Sequence, residues 1–430
     1  MSITKTLYTG VTGLNAHSRA LGVTGDNIAN VNTVGYKAER AVFSDILGRS
    51  MTAVNASGSG VQMSNITRTF AQGTLLTTES PTDLAINGKG FFIVKGAVGG
   101  QQGNYFTRAG QFRMDKDGNL VDPQGFIAQG YLVNSAGEID NQLTDLTIAN
   151  SVLPPTETTS VNMSANLDSN AMEPTGAFDA DNAGTTSNFS TAITVYDSLG
   201  NAHRVDVYFR KSATANTWTW HGVVDGGEIG GTAGDMTEVA SGTLTFNTDG
   251  SLQSDVTDSA WSDTFTGAAA QVVAFDFGTS LTDDPTGNGL NGTTQFASDN
   301  VIRSQDQNGY STGELATVGI LDNGDVMAIY TNGEQYRVGQ VALATFEAEG
   351  DLARVGGNHW AETQVSGEAR IGTANSGSAG SITSSALEQS TVDLAKEFVD
   401  LISYQRGFQA NSRTITTADQ LYQEAVNLKR

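Results

Sequence analysis

Apolar residues recur at every seventh position at both ends of the chain. The C-terminal series is Leu387, Leu394, Leu401, Phe408, Ile415 and Tyr422, and the N-terminal series is Leu7, Leu14, Leu21 and Ile28. Such a repeat keeps one stripe of a helix against a partner only when the helices supercoil. The pattern therefore predicts terminal helices over residues 1–28 and 385–430 that pack with other helices.

A second seven-residue series on the C-terminal helix, the other seam of a coiled coil, contains both apolar and polar residues. Phe398 and Val426 are apolar, but Gln405, Ser412 and Asp419 lie between them at the same spacing. A two-stranded zipper needs two apolar seams, so the pattern favours a helix within a wall of several neighbours. The stripes could pack against other copies of the chain or against its own core. We expect packing against other copies, with largely disordered ends in the isolated monomer.

Between the ends the apolar period changes to two, which is typical of strands. Residues 90–94 predict a buried strand, and residues 192–196 and 204–209 predict two strands joined by a turn at 197–201. Residues 318–321 and 326–330 flank Asp-Asn-Gly-Asp, which predicts a hairpin. The fold class is therefore mainly β with α-helical termini, and the helices are expected to form an inner coiled-coil tube.

Two polar stretches rich in Ser, Thr, Asn and Gly, near residues 150–188 and 280–300, predict domain boundaries. The segment between them is expected to be a domain inserted into a larger one. The predicted division is a connector at 29–75 and 370–384, a β-rich middle domain at 76–155 and 303–369, and an inserted outer β-domain at 156–302.

The composition restricts the partners of the chain. Its 430 residues carry a formal net charge of −23. An acidic surface repels nucleic-acid phosphates and anionic lipids, so neither is an expected partner. The chain shows no signal-peptide pattern and no run of about 18 apolar residues, so no membrane insertion is expected.

The residues that usually carry chemistry show no catalytic pattern. The chain has no cysteine and four histidines, none of which has the spacing of a metal site. The segment 115–122, Asp-Lys-Asp-Gly-Asn-Leu-Val-Asp, has the wrong register for a calcium loop and fits a hairpin turn better. No catalytic, cofactor or metal residue is predicted. We expect a self-assembling structural subunit rather than an enzyme.

Residues 29–37, Ala-Asn-Val-Asn-Thr-Val-Gly-Tyr-Lys, come after the N-terminal repeat and resemble the signature of flagellar rod and hook proteins. Asn and Gly permit a tight turn out of the helix, and the aromatic ring anchors the chain beyond that turn. The matching positions are Asn30, Asn32, Thr33, Gly35, Tyr36 and Lys37.

Further segments resemble the hook proteins within that group. Residues 88–94, 106–112, 117–125, 336–346 and 357–360 are similar to their β-domain, and residues 387–394 and 404–411 to their C-terminal helix. Residues 195–203 resemble a segment of the hook outer domain that shorter rod proteins lack.

The resemblance implies a subunit that leaves the bacterium through the flagellar type III export apparatus without a cleaved signal peptide. It would polymerise with itself into a curved, bendable tube outside the cell, attached to the basal body. The implied partners are the distal rod protein, the hook cap protein, the hook–filament junction protein and the export apparatus. The alternatives are a distal rod subunit and a secreted β-rich adhesin.

Overall fold

A computed structural model describes residues 3–47, 58–134, 137–148, 152–282 and 286–427. The chain forms two compact units. The first comprises Met1–Asn150, Ala316–Ile329 and Gln335–Arg430, and the second comprises Ser151–Leu315 and Tyr330–Glu334. The parts of our predictions that involve residues 1–2, 48–57, 135–136, 149–151, 283–285 and 428–430 lie outside the described residues.

The elements follow the chain in three stretches. The first stretch contains α1 (Ile3–Ala29), β1 (Glu39–Leu47), β2 (Gly58–Arg68), β3 (Leu75–Thr77), β4 (Leu84–Asn87), β5 (Phe91–Val98), β6 (Gln101–Thr107), β7 (Arg113–Met114), β8 (Leu120–Val121), β9 (Ile127–Val133) and β10 (Ile139–Asp145). The second contains β11 (Ser160–Asn166), α2 (Ala183–Thr186), β12 (Phe189–Tyr196), β13 (Ala202–Lys211), β14 (Thr217–Asp225), β15 (Met236–Phe246), β16 (Leu252–Ser259), β17 (Ala274–Asp276) and β18 (Val301–Gln307). The third contains β19 (Leu315–Ile320), β20 (Asp325–Tyr330), β21 (Gln335–Thr345), β22 (Ala353–Gly356), β23 (His359–Ala361), β24 (Arg370–Thr373), β25 (Ser381–Ser384), β26 (Ala386–Glu388) and α3 (Leu394–Asn427).

A large sheet forms the centre of the first unit. Its strand order is β19-β20-β21-β9-β5-β6-β23-β22, with β7, β8, β10 and β24 paired onto it. The predicted strand at residues 90–94 is confirmed as part of β5, where Phe91 and Ile93 are buried with Phe106 and Trp360. The Asp-Asn-Gly-Asp hairpin between β19 and β20 is also confirmed, since these strands are neighbours in the sheet.

Three small pairings lie between this sheet and the helices. The antiparallel hairpin of β1 and β2 packs along α1. Strand β3 pairs with β26, and β4 pairs with β25. Each of the last two pairings joins a segment near the start of the chain to one near its end. The two terminal helices are therefore attached to the sheets by chain segments that lie side by side.

The second unit contains a five-stranded antiparallel sheet, β12-β13-β14-β15-β16, and a three-stranded sheet, β17-β11-β18. Its core includes the fully buried side chains of Trp218, Trp220 and Trp261. The predicted turn at 197–201 is confirmed, and the Asp197 carboxylate accepts hydrogen bonds there from the backbone amides of Leu199 and Asn201 at 2.9 and 2.8 Å.

The predicted fold class, mainly β with a helix at each end, is confirmed. The predicted start of the C-terminal helix at 385 is wrong, because α3 begins at Leu394. The Asp393 carboxylate accepts hydrogen bonds from the backbone amides of Ala395 and Lys396, which are free donors at the first turn of a helix. Leu387 therefore lies in β26 and not on the C-terminal helix.

The inner tube and the four-part division of the chain stay predictions. In the described part of the chain, no helix combines the length and apolarity that a membrane crossing requires.

Candidate assembly surface

The side of α1 that packs within the chain consists largely of small residues. Gly10, Gly13, Ala16 and Ala20 are buried, and they recur at spacings of three and four along one face of the helix. The predicted stripe lies beside this face, because Leu7, Leu14, Leu21 and Ile28 are all only half-buried. Large apolar side chains on α1 thus remain partly available to a partner.

The helices α1 and α3 pack against each other in antiparallel directions. A Cβ placed on Gly10 would lie 2.8 Å from Cγ1 of Ile415, and one on Gly13 would lie 2.5 Å from Oδ1 of Asn411. Further along, a Cβ on Gly407 would lie 2.7 Å from the His17 ring. Glycine at these positions lets the opposite side chains enter, so the helices approach closely. We call α1 and α3 together the helix pair.

An aromatic cluster fixes the middle of the helix pair to the hairpin of β1 and β2. The centroid of the His17 ring lies 5.6 Å from that of Phe43 and 6.1 Å from that of Tyr404. The Phe43 and Tyr404 centroids are 5.9 Å apart. The expectation that the terminal helices lack partners within one chain is therefore wrong, because each helix packs on the other and on this hairpin.

The C-terminal stripe rotates around α3 instead of staying on one face. Leu401, Phe408 and Ile415 are half-buried, whereas Leu394 is 39% exposed and Tyr422 is 51% exposed. A straight helix drifts by roughly 20° per heptad relative to a seven-residue repeat. The middle of the stripe thus faces α1, and its two ends face solvent.

The exposed apolar side chains of the helix pair are the candidate assembly surface. Leu394, Phe398, Tyr422 and Val426 were predicted for it, and Phe398 and Val426 are 51% and 54% exposed. The sequence reasoning missed further members, because they lie outside the heptad positions. The members are Tyr8, Val11, Leu394, Phe398, Val399, Ile402, Leu421, Tyr422 and Val426.

The signature turn at residues 30–37 begins with local hydrogen bonds. Asn30 Nδ2 donates to the Asp26 carbonyl at 2.9 Å, and Thr33 Oγ1 donates to Asn30 Oδ1 at 3.1 Å. Gly35 has a φ of +69°, and a Cβ there would lie 2.6 Å from the backbone nitrogen of Ala109. Glycine is therefore required at this position for both its conformation and its lack of a side chain. Asn32 is exposed.

Tyr36 is buried at the junction between α1 and the sheets. Its ring lies 5.4 Å from the Arg354 guanidinium, and its hydroxyl donates to Asn27 Oδ1 at 3.3 Å. Burial, with the nearby Glu39 carboxylate, raises the pKa of Tyr36 to about 12. The ring therefore anchors the turn in its neutral form, as the sequence suggested.

A buried ionic cluster holds the end of the turn. Lys37 Nζ lies 2.7 Å from Oε1 of Glu388, and neither side chain is exposed to solvent. Arg108 NH1 lies 3.4 Å from the other carboxylate oxygen, Oε2. Burial lowers the pKa values of Lys37 and Arg108, and the Glu388 carboxylate opposes that shift. We call Lys37, Arg108 and Glu388 the ionic cluster.

A second buried network connects the two helices near the turn. Asn27 Nδ2 on α1 donates to Oε1 of Glu397 on α3 at 3.0 Å and to the Glu39 carbonyl at 2.7 Å. Burial raises the pKa of Glu397, and the hydrogen bond from Asn27 opposes that shift. The sequence reasoning missed the roles of Asn27, Arg108, Glu388 and Glu397, because no spacing rule shows that such distant positions meet.

Within the described ranges, no group of three or more His, Asp and Glu side chains could hold a metal ion. The histidines of the β-sheets are paired with carboxylates instead. For example, His359 Nε2 lies 2.6 Å from Oδ2 of Asp122, and both side chains are buried. The segment 115–122 forms a turn closed by Asp115, which accepts from the backbone amides of Asp117 and Asn119.

Comparison with known protein families covers most of the chain. Residues 7–37 match the flagella basal body rod protein model, and residues 85–165 match the D1 domain of flagellar hook proteins FlgE/F/G. Residues 166–310 match the flagellar basal body protein FlaE D2 domain, and residues 383–428 match the C-terminal domain of flagellar basal body rod FlgEFG proteins.

Individual relatives match nearly the whole length. The flagellar hook protein FlgE of Salmonella typhimurium is 37% identical over 426 residues, covering 97% of this chain and 98% of the relative. The chain belongs to the flagellar hook protein FlgE family. The family member from Borreliella burgdorferi is 32% identical, covering 99% of both chains. The crystal structure of Helicobacter pylori flagellar hook protein FlgE2 shares the fold, with a TM-score of 0.51 and 15% identity over 73% of this chain and all of that one.

Proposed function

We propose that this hook-family chain polymerises with itself into the curved tube of the bacterial flagellar hook. The observation that carries the proposal is the set of exposed apolar side chains on the helix pair, within a chain that matches hook proteins over 97% of its length. Large apolar side chains exposed on one element are typical of an interaction surface. Their burial between copies would provide the free energy of assembly.

The tube is proposed to have the helix pairs inside and the β-rich units outside, where it would link rod to filament and transmit torque while bending. The distal rod protein, the hook cap protein, the hook–filament junction protein and the export apparatus are its proposed partners. The subunit would reach the outside of the cell through that apparatus, without a cleaved signal peptide. Its role is structural, and no enzymatic step is proposed.

The second unit is strongly acidic, and this charge favours weak contacts between the second units of neighbouring copies. It contains 4 Lys and Arg residues and 22 Asp and Glu residues, a formal net charge of −18. Like charges on neighbouring copies repel each other, and salt screens them. Contacts between the second units are therefore expected to be wet and weak, so that they can shift as each subunit turns.

Electron microscopy of the purified protein tests the proposal most directly. We expect short curved tubes whose curvature changes between low and high salt. Particles that stay monomeric at all protein concentrations and salt levels would contradict self-assembly. A deletion strain distinguishes hook from distal rod, because loss of a hook protein leaves a complete rod with no hook.

A further inference from the structure

Residues 30–38 lead from α1 into the hairpin of β1 and β2, and residues 386–393 comprise β26 and the passage from it into α3. We call these two passages the neck. The hairpin packs on α1, and residues 69–74 lead from it to β3, which pairs with β26. A rotation of the helix pair relative to the sheets therefore acts on the contacts that the neck makes with residues 69–74 and with Arg108.

Backbone hydrogen bonds tie the two passages to each other. The Gly35 amide donates to the Glu388 carbonyl at 2.8 Å, and the Thr391 amide donates to the Tyr36 carbonyl at 3.2 Å. The Ala38 amide donates to Oγ1 of Thr391 at 2.9 Å. The neck is thus a paired structure and not two independent linkers.

The Glu388 side chain fastens the neck to the sheets. Its Oε1 accepts from Lys37 Nζ in the neck and from the backbone amide of Gly73, both at 2.7 Å. Its Oε2 accepts from NH1 of Arg108, the residue directly after β6 of the large sheet. One fully buried carboxylate therefore holds three segments that are distant in sequence.

The charges of the ionic cluster are unequal. Two buried cations share the single carboxylate of Glu388. The cations have additional acceptors, since Lys37 Nζ donates to the Ala71 carbonyl and Arg108 NH2 donates to the Gly88 carbonyl. Removing the carboxylate would leave two buried cations unpaired, whereas removing Lys37 would leave a balanced pair of Arg108 and Glu388. Unpaired buried charges are far more costly than balanced ones.

We propose that Glu388, shared between Lys37 and Arg108, is the latch that fixes the helix pair to the sheets, so that a rotation of one is passed to the other. This inference rests on the proposed hook function. It assigns a positioning role to Glu388 and Lys37, which lie in the paired neck, and to Arg108, which lies in the sheet region.

Hydrogen exchange of the full-length monomer tests the latch without assembly. The variants are Glu388→Gln, Lys37→Met and, as control, Glu347→Gln, which breaks an ion pair with Arg370 whose side chains are 80% and 71% exposed. In Glu388→Gln we expect peptides covering 31–38, 71–77 and 386–393 to exchange on the order of 100-fold faster. Lys37→Met should give a smaller increase, and Glu347→Gln none.

The ranking of the three variants by the exchange rate of their neck peptides decides whether the latch proposal stands. Equal exchange in Glu388→Gln and Glu347→Gln would overturn the latch. If Glu388→Gln does not fold, Lys37→Met decides instead: a neck that exchanges faster than in the wild type supports the latch, and an unchanged neck overturns it. Peptides from the second unit serve as an internal reference, because they do not contain the neck.

Torque transmission is measured in cells that carry the same variants. We expect the hooks of tethered Lys37→Met cells to twist through a larger angle under the same load than wild-type hooks, and Glu347→Gln hooks to match the wild type. A wild-type twist angle with a loosened neck would overturn the coupling role, while the hook function would stand. Failure of the unmodified chain to form tubes would overturn the proposed function, while the exchange result would stand.

Discussion

Gly13 and Asn411 meet where the two terminal helices cross, and a Cβ at position 13 would lie only 2.5 Å from Oδ1 of Asn411. Asn411 also donates to the Gly407 carbonyl one turn earlier at 2.8 Å, so its amide is held in place. The crossing therefore depends on the absence of a side chain on α1. Such a fit defines how far one helix is shifted along the other.

Substitution of Gly13 tests this fit. Gly13→Ala would improve helix propensity but would push Asn411 out of the crossing, so we expect a net loss of about 1–3 kcal/mol in the free energy of unfolding. The matched control is Gly22→Ala, because a Cβ there meets no atom within 4 Å. It should stabilise α1 by up to about 1 kcal/mol. Circular dichroism melting curves give both values, and equal shifts in the two variants would contradict the close crossing.

Phe398, a member of the candidate assembly surface, is expected to act only in assembly. Phe398 is 51% exposed, so Phe398→Ser should change the free energy of unfolding of the monomer by no more than about 0.5 kcal/mol. Tube formation, followed by light scattering and electron microscopy, should fall sharply, because the side chain would no longer be buried by a neighbour. Gln405→Ser, at an exposed polar position of the same helix, is the control. Normal tubes from Phe398→Ser would remove this residue from the assembly surface.

Ionisation of Tyr36 predicts a specific loss of stability in alkali. Its pKa is raised to about 12 in the folded chain, against an ordinary value of 10.0. The unfolded state therefore loses its proton first, and stability that is fully present below pH 10 falls as the pH rises toward 12. The loss amounts to about 2–3 kcal/mol. Denaturant unfolding at several pH values measures it.

Two variants separate Tyr36 from the other tyrosines in this experiment. Tyr36→Phe should remove that part of the alkaline loss, because the phenol no longer ionises. Tyr8→Phe changes a side chain that is 71% exposed and should leave the loss in place. The same alkaline slope in Tyr36→Phe and wild type would show that another group causes it.

The second unit should fold without the rest of the chain. Its core cluster draws only on residues between Val161 and Ile302, and three buried tryptophans lie within it. A fragment of residues 152–313 should be monomeric in size-exclusion chromatography and should show blue-shifted fluorescence that moves to the red in one cooperative transition. Its melting temperature should rise with salt, since salt screens the repulsion among its acidic side chains. Red-shifted fluorescence in buffer would contradict an independent core.

The elements that could be predicted from sequence are those determined by local pattern. The hairpin between β19 and β20 is indicated by its Asn-Gly turn, and β5 by a short apolar run with glycine before it. The helices are indicated by their apolar repeats. The repeat does not determine where the C-terminal helix begins, because it extends to Leu387, which pairs with Leu76 of β3 in a strand.

The faces and contacts of the helices depend on partners that a sequence pattern does not reveal. The leucines of α1 suggested the contact face, but α3 approaches α1 most closely at glycines. Glycine has a weak helix propensity, so in sequence these positions indicated a weakened helix and not a contact. The ionic cluster joins residues 37, 108 and 388, and no sequence pattern connects positions so far apart in the chain. Only the folded chain shows that they share one buried site.

The antiparallel helix pair also determines where foreign sequence can be attached. Since α1 begins at Ile3 and α3 ends at Asn427, a label fused to either terminus would emerge at the same end of the pair, beside the exposed Tyr422. The turn of Gly99 and Gly100 between β5 and β6 is a better position, because Cβ atoms there would meet nothing within 4 Å. A fluorophore or affinity peptide inserted at that hairpin would leave both helices unaltered, so growing hooks could be imaged in living cells.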